Sequence, residues 1–186
     1  MKILQPALKG LLLLLLESAC VMTPKQTILH DFGPAPRGDH GVTPEISVDA
    51  PTWLWDHRIR YRLLYHSPTR IGFYALDQWI APPPELFQQQ LIAFCEISGY
   101  SLRIRLLDFE QQFDAPGKSH VLINFSVVAF TPGTHQISAS REFRLDQATN
   151  TPDASGAISG FRSLVKQANE LINKWLLTVA DRRNIE

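Results

Sequence analysis

Cysteine is nearly missing from this 186-residue chain: Cys20 and Cys95 are the two present, which excludes a disulfide framework. An excess of either charge is missing too, since 18 basic and 18 acidic side chains balance to a formal net charge of +0. Nucleic-acid binding normally shows a basic excess or patch. The nearest approach is Arg58, Arg60 and Arg62, whose alternation puts them on one face of a strand, where such charges ordinarily stay solvated. No apolar run reaches the roughly 20 residues that span a bilayer, because the leucines at 11–16 are flanked by Pro6, Lys9, Gly10 and Glu17. Catalytic and cofactor motifs are lacking as well. There is no GxSxG elbow, no P-loop, no dinucleotide glycine pattern and no CxxC pair. His30, His40, His57, His66, His120 and His135 are scattered, none at the spacing of a helical zinc motif. Asp146 and Asp153 bracket a polar loop without the glycine and final glutamate of a calcium loop.

What is present begins at the N-terminus. Lys2 and Lys9, the leucine run and the small pair Ser18-Ala19 have the layout of a secretory signal peptide over residues 1–19. Cys20 directly after the small residues resembles a bacterial lipobox, in which the cysteine is the lipid attachment site and carries acyl groups such as palmitate. Glu17 stands where the lipobox usually has an apolar residue, and Leu16 fills that role one position out. Cleavage before Cys20 leaves 167 residues, with 16 basic and 17 acidic groups once Lys2, Lys9 and Glu17 are removed. Val21 is not the aspartate that commonly retains lipoproteins in the inner membrane. The expected location is therefore the periplasmic side of the outer membrane. Residues 20–45, with Pro24, Gly33, Pro34, Pro36, Gly38, Gly41 and Pro44, read as a lipidated tether. A single domain is expected over 46–186.

Periodicity predicts the body. Thr27 to Phe32 can form a first strand, followed by Ile46–Asp49, Ile59–Tyr65 and Ile71–Ala75, the last two as a hairpin. Pro82-Pro83-Pro84-Glu85 starts a helix, on which Phe87, Leu91, Phe94 and Ile97 recur until Ser98-Gly99 ends it. Cys95 sits among these apolar residues as a small hydrophobe. Ser101–Phe109, His120–Phe130 and Gln136–Leu145 alternate as three long strands of an antiparallel meander. Apolar residues on both faces of 120–130 predict a central strand covered on both sides. From Ile158 to Val179 a broad apolar stripe predicts a helix of about seven turns. The fold class is α+β: an antiparallel or mixed sheet of about five to six strands, with two main helices packed on one face.

The run Arg62-Leu63-Leu64-Tyr65, Arg70-Ile71-Gly72-Phe73-Tyr74-Ala75 and Gln78-Trp79-Ile80-Ala81-Pro82-Pro83-Pro84-Glu85-Leu86, continuing to Leu91, resembles the auxiliary lipoproteins of ABC-type transport systems. These are the lipoprotein partners of mammalian-cell-entry (MCE) domain transporters. The resemblance extends more loosely over residues 27–180, and Gln78 stands where that family's pattern has a basic residue. It implies a non-enzymatic subunit with no cofactor, lipid-anchored in the cell envelope. Its partners would be an MCE-domain protein and its ABC permease and ATPase, and its cargo phospholipid or another hydrophobic molecule moved between membranes. A homo-oligomer is compatible with it, and nucleic acid is not a partner. Phe73, Tyr74 and Trp79 are the candidate contacts for partner or lipid, with Trp79 alternatively a cap on the core. Two other functions fit the same sequence: an assembly lipoprotein docking on an outer-membrane protein, and an envelope hydrolase with a dispersed catalytic set.

Overall fold

Alternating apolar and polar residues place seven strands in one mixed sheet in the computed structural model, which describes residues 25–34, 45–94, 100–131, 133–134 and 136–183. The strands are β1 (Ile28–His30), β2 (Ile46–Asp49), β3 (Arg58–Leu63), β4 (Ile71–Trp79), β5 (Ser101–Ala115), β6 (Lys118–Phe130) and β7 (Ile137–Ala148). Their order is β1-β4-β3-β5-β6-β7, with β2 beside β5 off this path. The long strands β5, β6 and β7 form the expected antiparallel meander. The remaining contacts of β5 are parallel. β2 pairs with residues 102–105 and β3 with residues 111–113, so the two short strands lie end to end along one edge. Six strands form the main order, and β2 is the seventh.

β5 runs six residues past the expected end at Phe109. Leu102, Ile104 and Leu106 are buried, then a register shift between Leu106 and Asp108 moves the inward positions to Phe109, Gln111 and Phe113. One inserted residue reverses the alternation, and the second half of the strand is largely polar, which is why its apolar pattern ends early. A tight turn at Gly117, with φ 76°, returns the chain into β6.

Two helices lie on one face. α1 (Pro83–Phe94) starts on consecutive prolines that have no N–H to offer. Its first donors, the amides of Glu85 and Leu86, both reach Pro82 O, at 3.0 and 3.2 Å. Leu86, Phe87 and Leu91 are buried, and Gln88 Nε2 donates to Ile46 O at 2.9 Å, closing the outer edge of β2. α2 (Ala154–Arg183) buries Phe161, Leu164, Val165, Ala168, Ile172, Trp175, Leu176 and Val179, as its stripe predicts. The sheet supplies Val121, Ile123, Phe125, Val127 and Ala129 to the same core. The expectation that β6 is covered on both sides is corrected. On the face away from the helices Leu122 is buried, while Val128 and Phe130 remain partly exposed.

β1 and Phe32 belong to this body, so the folded domain begins before residue 46. The expected signal peptide (1–19) and lipid site (Cys20), residues 20–24 and 35–44 of the expected tether (20–45), Cys95 and the expected helix end at Ser98-Gly99 lie outside the described residues. Among the described residues, no helix is long and apolar enough to cross a membrane.

Candidate functional site

A cleft of about 900 Å³ opens between β1, the turn that follows it and the first half of α2. Its floor is set by an aromatic stack. Trp79 lies 1 % exposed at the end of β4, with ring centroids 5.3 Å from Phe32, 6.0 Å from Phe109 and 5.9 Å from Phe161. Phe109 and Phe161 stack at 4.0 Å. Phe32 is thereby pinned under the turn, and Phe32, Ile158 and Val165 give the cleft its apolar lining.

The turn itself needs Gly33. Its φ of 80° lies in the left-handed region, Asp31 Oδ1 accepts its N–H at 2.7 Å, and Gln90 Nε2 donates to its carbonyl at 3.1 Å. A Cβ there would come within 3.2 Å of the Arg162 guanidinium. Arg162 therefore lies across the turn, and Lys166 follows it one helical turn on. Two acids also line the cleft, and each has a local partner. Asp31 is held by the Gly33 amide, and Asp77 Oδ1 meets His30 Nε2 at 2.9 Å. Arg162 and Lys166 have no ion-pair partner among the described residues. The formal charges of the lining balance, with both cations on α2 and both acids on the strand side of the cleft.

The start of α2 is held by Asp153, whose Oδ1 accepts the Gly156 amide at 2.9 Å and the Thr151 hydroxyl at 2.7 Å. The Gly156 bond, then the Thr151 bond, hold the Asp153 carboxyl below its usual range. Beneath this helix start runs a buried polar chain. Tyr74 O–H donates to Gln111 Oε1 at 2.6 Å, and Gln111 Nε2 donates to Ser119 Oγ at 3.0 Å. Burial, reinforced by the charge of Asp153, pushes the Tyr74 phenol far above its ordinary pKa.

The three residues expected to form one contact patch are therefore separated. Trp79 is a core residue. Tyr74 is part-buried on the helix-covered side, its ring 5.1 Å from Tyr61. Phe73, its neighbour in the strand, faces the other side, with the Arg58 guanidinium 3.8 Å above its ring. The basic triplet is likewise accounted for. Arg58 pairs with Asp56, Arg60 Nη1 donates to Trp53 O at 3.3 Å, and Arg62 pairs with Glu110. The cleft residues Arg162 and Lys166 carried no motif; their one sequence signal was the polar flank of the α2 stripe. Among the described residues, no group of three or more His, Cys, Asp or Glu is placed to hold a metal ion.

No family model matches the chain, and no curated protein matches it. Solved structures share the fold, two of them as follows. One is a Xanthomonas campestris protein described under the family model DUF330, 19 % identical, with a TM-score of 0.65 over 87 % of this chain and 98 % of that one. The other is described as an uncharacterized protein, 13 % identical, with a TM-score of 0.65 over 81 % and 99 %.

Proposed function

We propose that this chain is a non-enzymatic, lipid-anchored subunit of an ABC/MCE-type transporter, facing the periplasm and assisting the movement of phospholipids or similar amphiphiles between envelope membranes. The observation that carries this reading is the cleft beside α2: an apolar floor of Phe32, Ile158 and Val165 under two cations without ion-pair partners, Arg162 and Lys166. That combination suits a molecule with an anionic headgroup and an acyl chain, and its volume lies within the ordinary range of ligand pockets. The lipobox at Cys20 and the strand-to-proline-helix run at 62–91 support the same assignment from the sequence. The partners are an MCE-domain protein and its permease and ATPase.

The test is titration of the mature protein with fluorescent phosphatidylglycerol. Wild type binds, and the Arg162→Glu/Lys166→Glu variant binds at least about tenfold more weakly, a difference of about 1.4 kcal/mol, with its melting temperature unchanged. Equal binding by the two proteins, or none by wild type, sinks the lipid-handling role.

A further inference from the structure

Five of the eight large hydrophobic side chains exposed among the described residues belong to one end of the sheet: Ile28 and Leu29 on β1, Ile80 directly after β4, and Trp53 and Trp55 ahead of β3. Backbone bonds hold this rim together. The Ile80 amide donates to His30 O at 2.8 Å, and the Trp79 amide donates to His57 O at 2.7 Å. Leu29 and Trp55 lie within two residues of that row. The 3-10 turn Thr52–Leu54 is fastened to the same region, because Arg60 Nη1 donates to Trp53 O. Trp55 Nε1 donates to Ala50 O at 3.1 Å, so the one polar atom of that ring is satisfied internally and what it shows to solvent is apolar. Trp53 and Trp55 are 60 % and 43 % exposed, whereas large aromatics are usually mostly covered.

We propose that this rim lies on the bilayer surface and sets the orientation of the domain on its membrane. Chain length selects the occupant. Nine residues lead from Cys20 to Leu29, which at about 3.5 Å each span roughly 30 Å at full extension. A lipid on Cys20 therefore confines the rim to the neighbourhood of the headgroups. Tryptophan favours that layer, where an amphipathic ring has both an apolar and a wet side. The cleft rim meets this edge at His30, so a domain seated this way holds its binding site close to the source of lipid. The inference rests on the anchor at Cys20 and is separable from it by experiment.

Trp79 and Trp175 are 1 % and 7 % exposed, so among the four tryptophans Trp53 and Trp55 are the two a membrane quencher can reach. The full mature protein is reconstituted in phosphatidylethanolamine–phosphatidylglycerol vesicles with brominated acyl chains, and its N-terminus is checked by mass spectrometry. The expected result is acylated Cys20, flotation with the vesicles and quenching of up to about half the emission, two of four indoles being reachable. Leu29→Asp/Ile80→Asp should still float but lose most of the quenching. Flotation without quenching in wild type overturns the membrane-facing rim and leaves the anchor standing. Emission already blue-shifted and indifferent to vesicles, as a second copy or residues 35–44 over the rim would give, overturns it as well. A protein without acyl mass at Cys20 overturns the anchor, and with it the choice of a bilayer as occupant.

Discussion

Arg62 and Glu110 join β3 to β5 through two parallel bonds, Nε to Oε1 at 2.9 Å and Nη2 to Oε2 at 3.0 Å. The pair lies on the face without helices, where Glu110 is 5 % exposed. Gln112 Nε2 adds a third bond to Oε1 at 2.7 Å. Burial by itself raises the Glu110 pKa, but the bonds from Arg62 and Gln112 together outweigh it and hold the carboxyl below its ordinary value.

Arg62→Ala should destabilise the domain by about 3 kcal/mol, at the lower end for a broken buried pair because the arginine side chain keeps 23 % of its surface in solvent. The sign with pH follows from the lowered pKa. The stabilisation is complete above the unfolded carboxylate range and is lost as pH falls through the folded value. Urea melts should therefore be flat from pH 7 down to the unfolded glutamate value of about 4.3 and weaken below it. Glu110→Gln should lower stability at neutral pH and flatten the acid decline. An acid decline as steep in the variant as in wild type would count against this pair.

Trp79 separates a core role from a contact role. With Phe32, Phe109 and Phe161 around it, Trp79→Ala should cost about 3–5 kcal/mol, read by thermal denaturation. Trp79→Phe should keep most of the stability and leave lipid titration unchanged at temperatures where the variant is folded. A Trp79→Phe protein with native stability and no lipid binding would return this residue to the contact surface.

Gly156 holds the α2 start against its preceding loop. A Cβ there would overlap the carbonyl oxygen of Thr151, a backbone atom that cannot step aside. Gly156→Ala should destabilise by about 1–3 kcal/mol, as overpacking does. Gly117→Ala meets no atom within 4 Å and pays for its positive φ alone, about 1 kcal/mol. Paired chemical melts check the order, and equal losses would remove the steric argument.

Cys20→Ser should leave the melting curve unchanged, because the described core begins downstream of it. Under the proposed function, the same variant should leave the membrane fraction and impair transport. Full complementation by this variant would reduce the leader to an export signal.

Much of the fold was legible because burial alternates locally. The α2 stripe named eight of its buried side chains in advance, and Val121 to Ala129 were assigned to one face of β6 correctly. The second half of β5 was not legible. Its inward positions include Gln111, a polar residue whose 0 % exposure is sustained by Tyr74 and Ser119. The site was less legible than the fold. Arg162 and Lys166 look like any charged flank of a helix, and the turn at Gly33 makes them one wall of a cleft. Phe73, Tyr74 and Trp79 are close in sequence, yet the pleat of β4 puts Phe73 and Tyr74 on opposite faces, and the register shift against β3 that follows lets Trp79 enter the core.

The amino-acid order alone settled the class of each long element, the inward stripe of α2 and the proline start of α1, since these depend on neighbours one to four residues apart. Tertiary structure decided the parallel placement of β1, β2 and β3, the reversed phase of β5 and the burial of Trp79. Each of those is a contact between residues distant in the chain, and local periodicity holds no information about which distant surface a strand will meet.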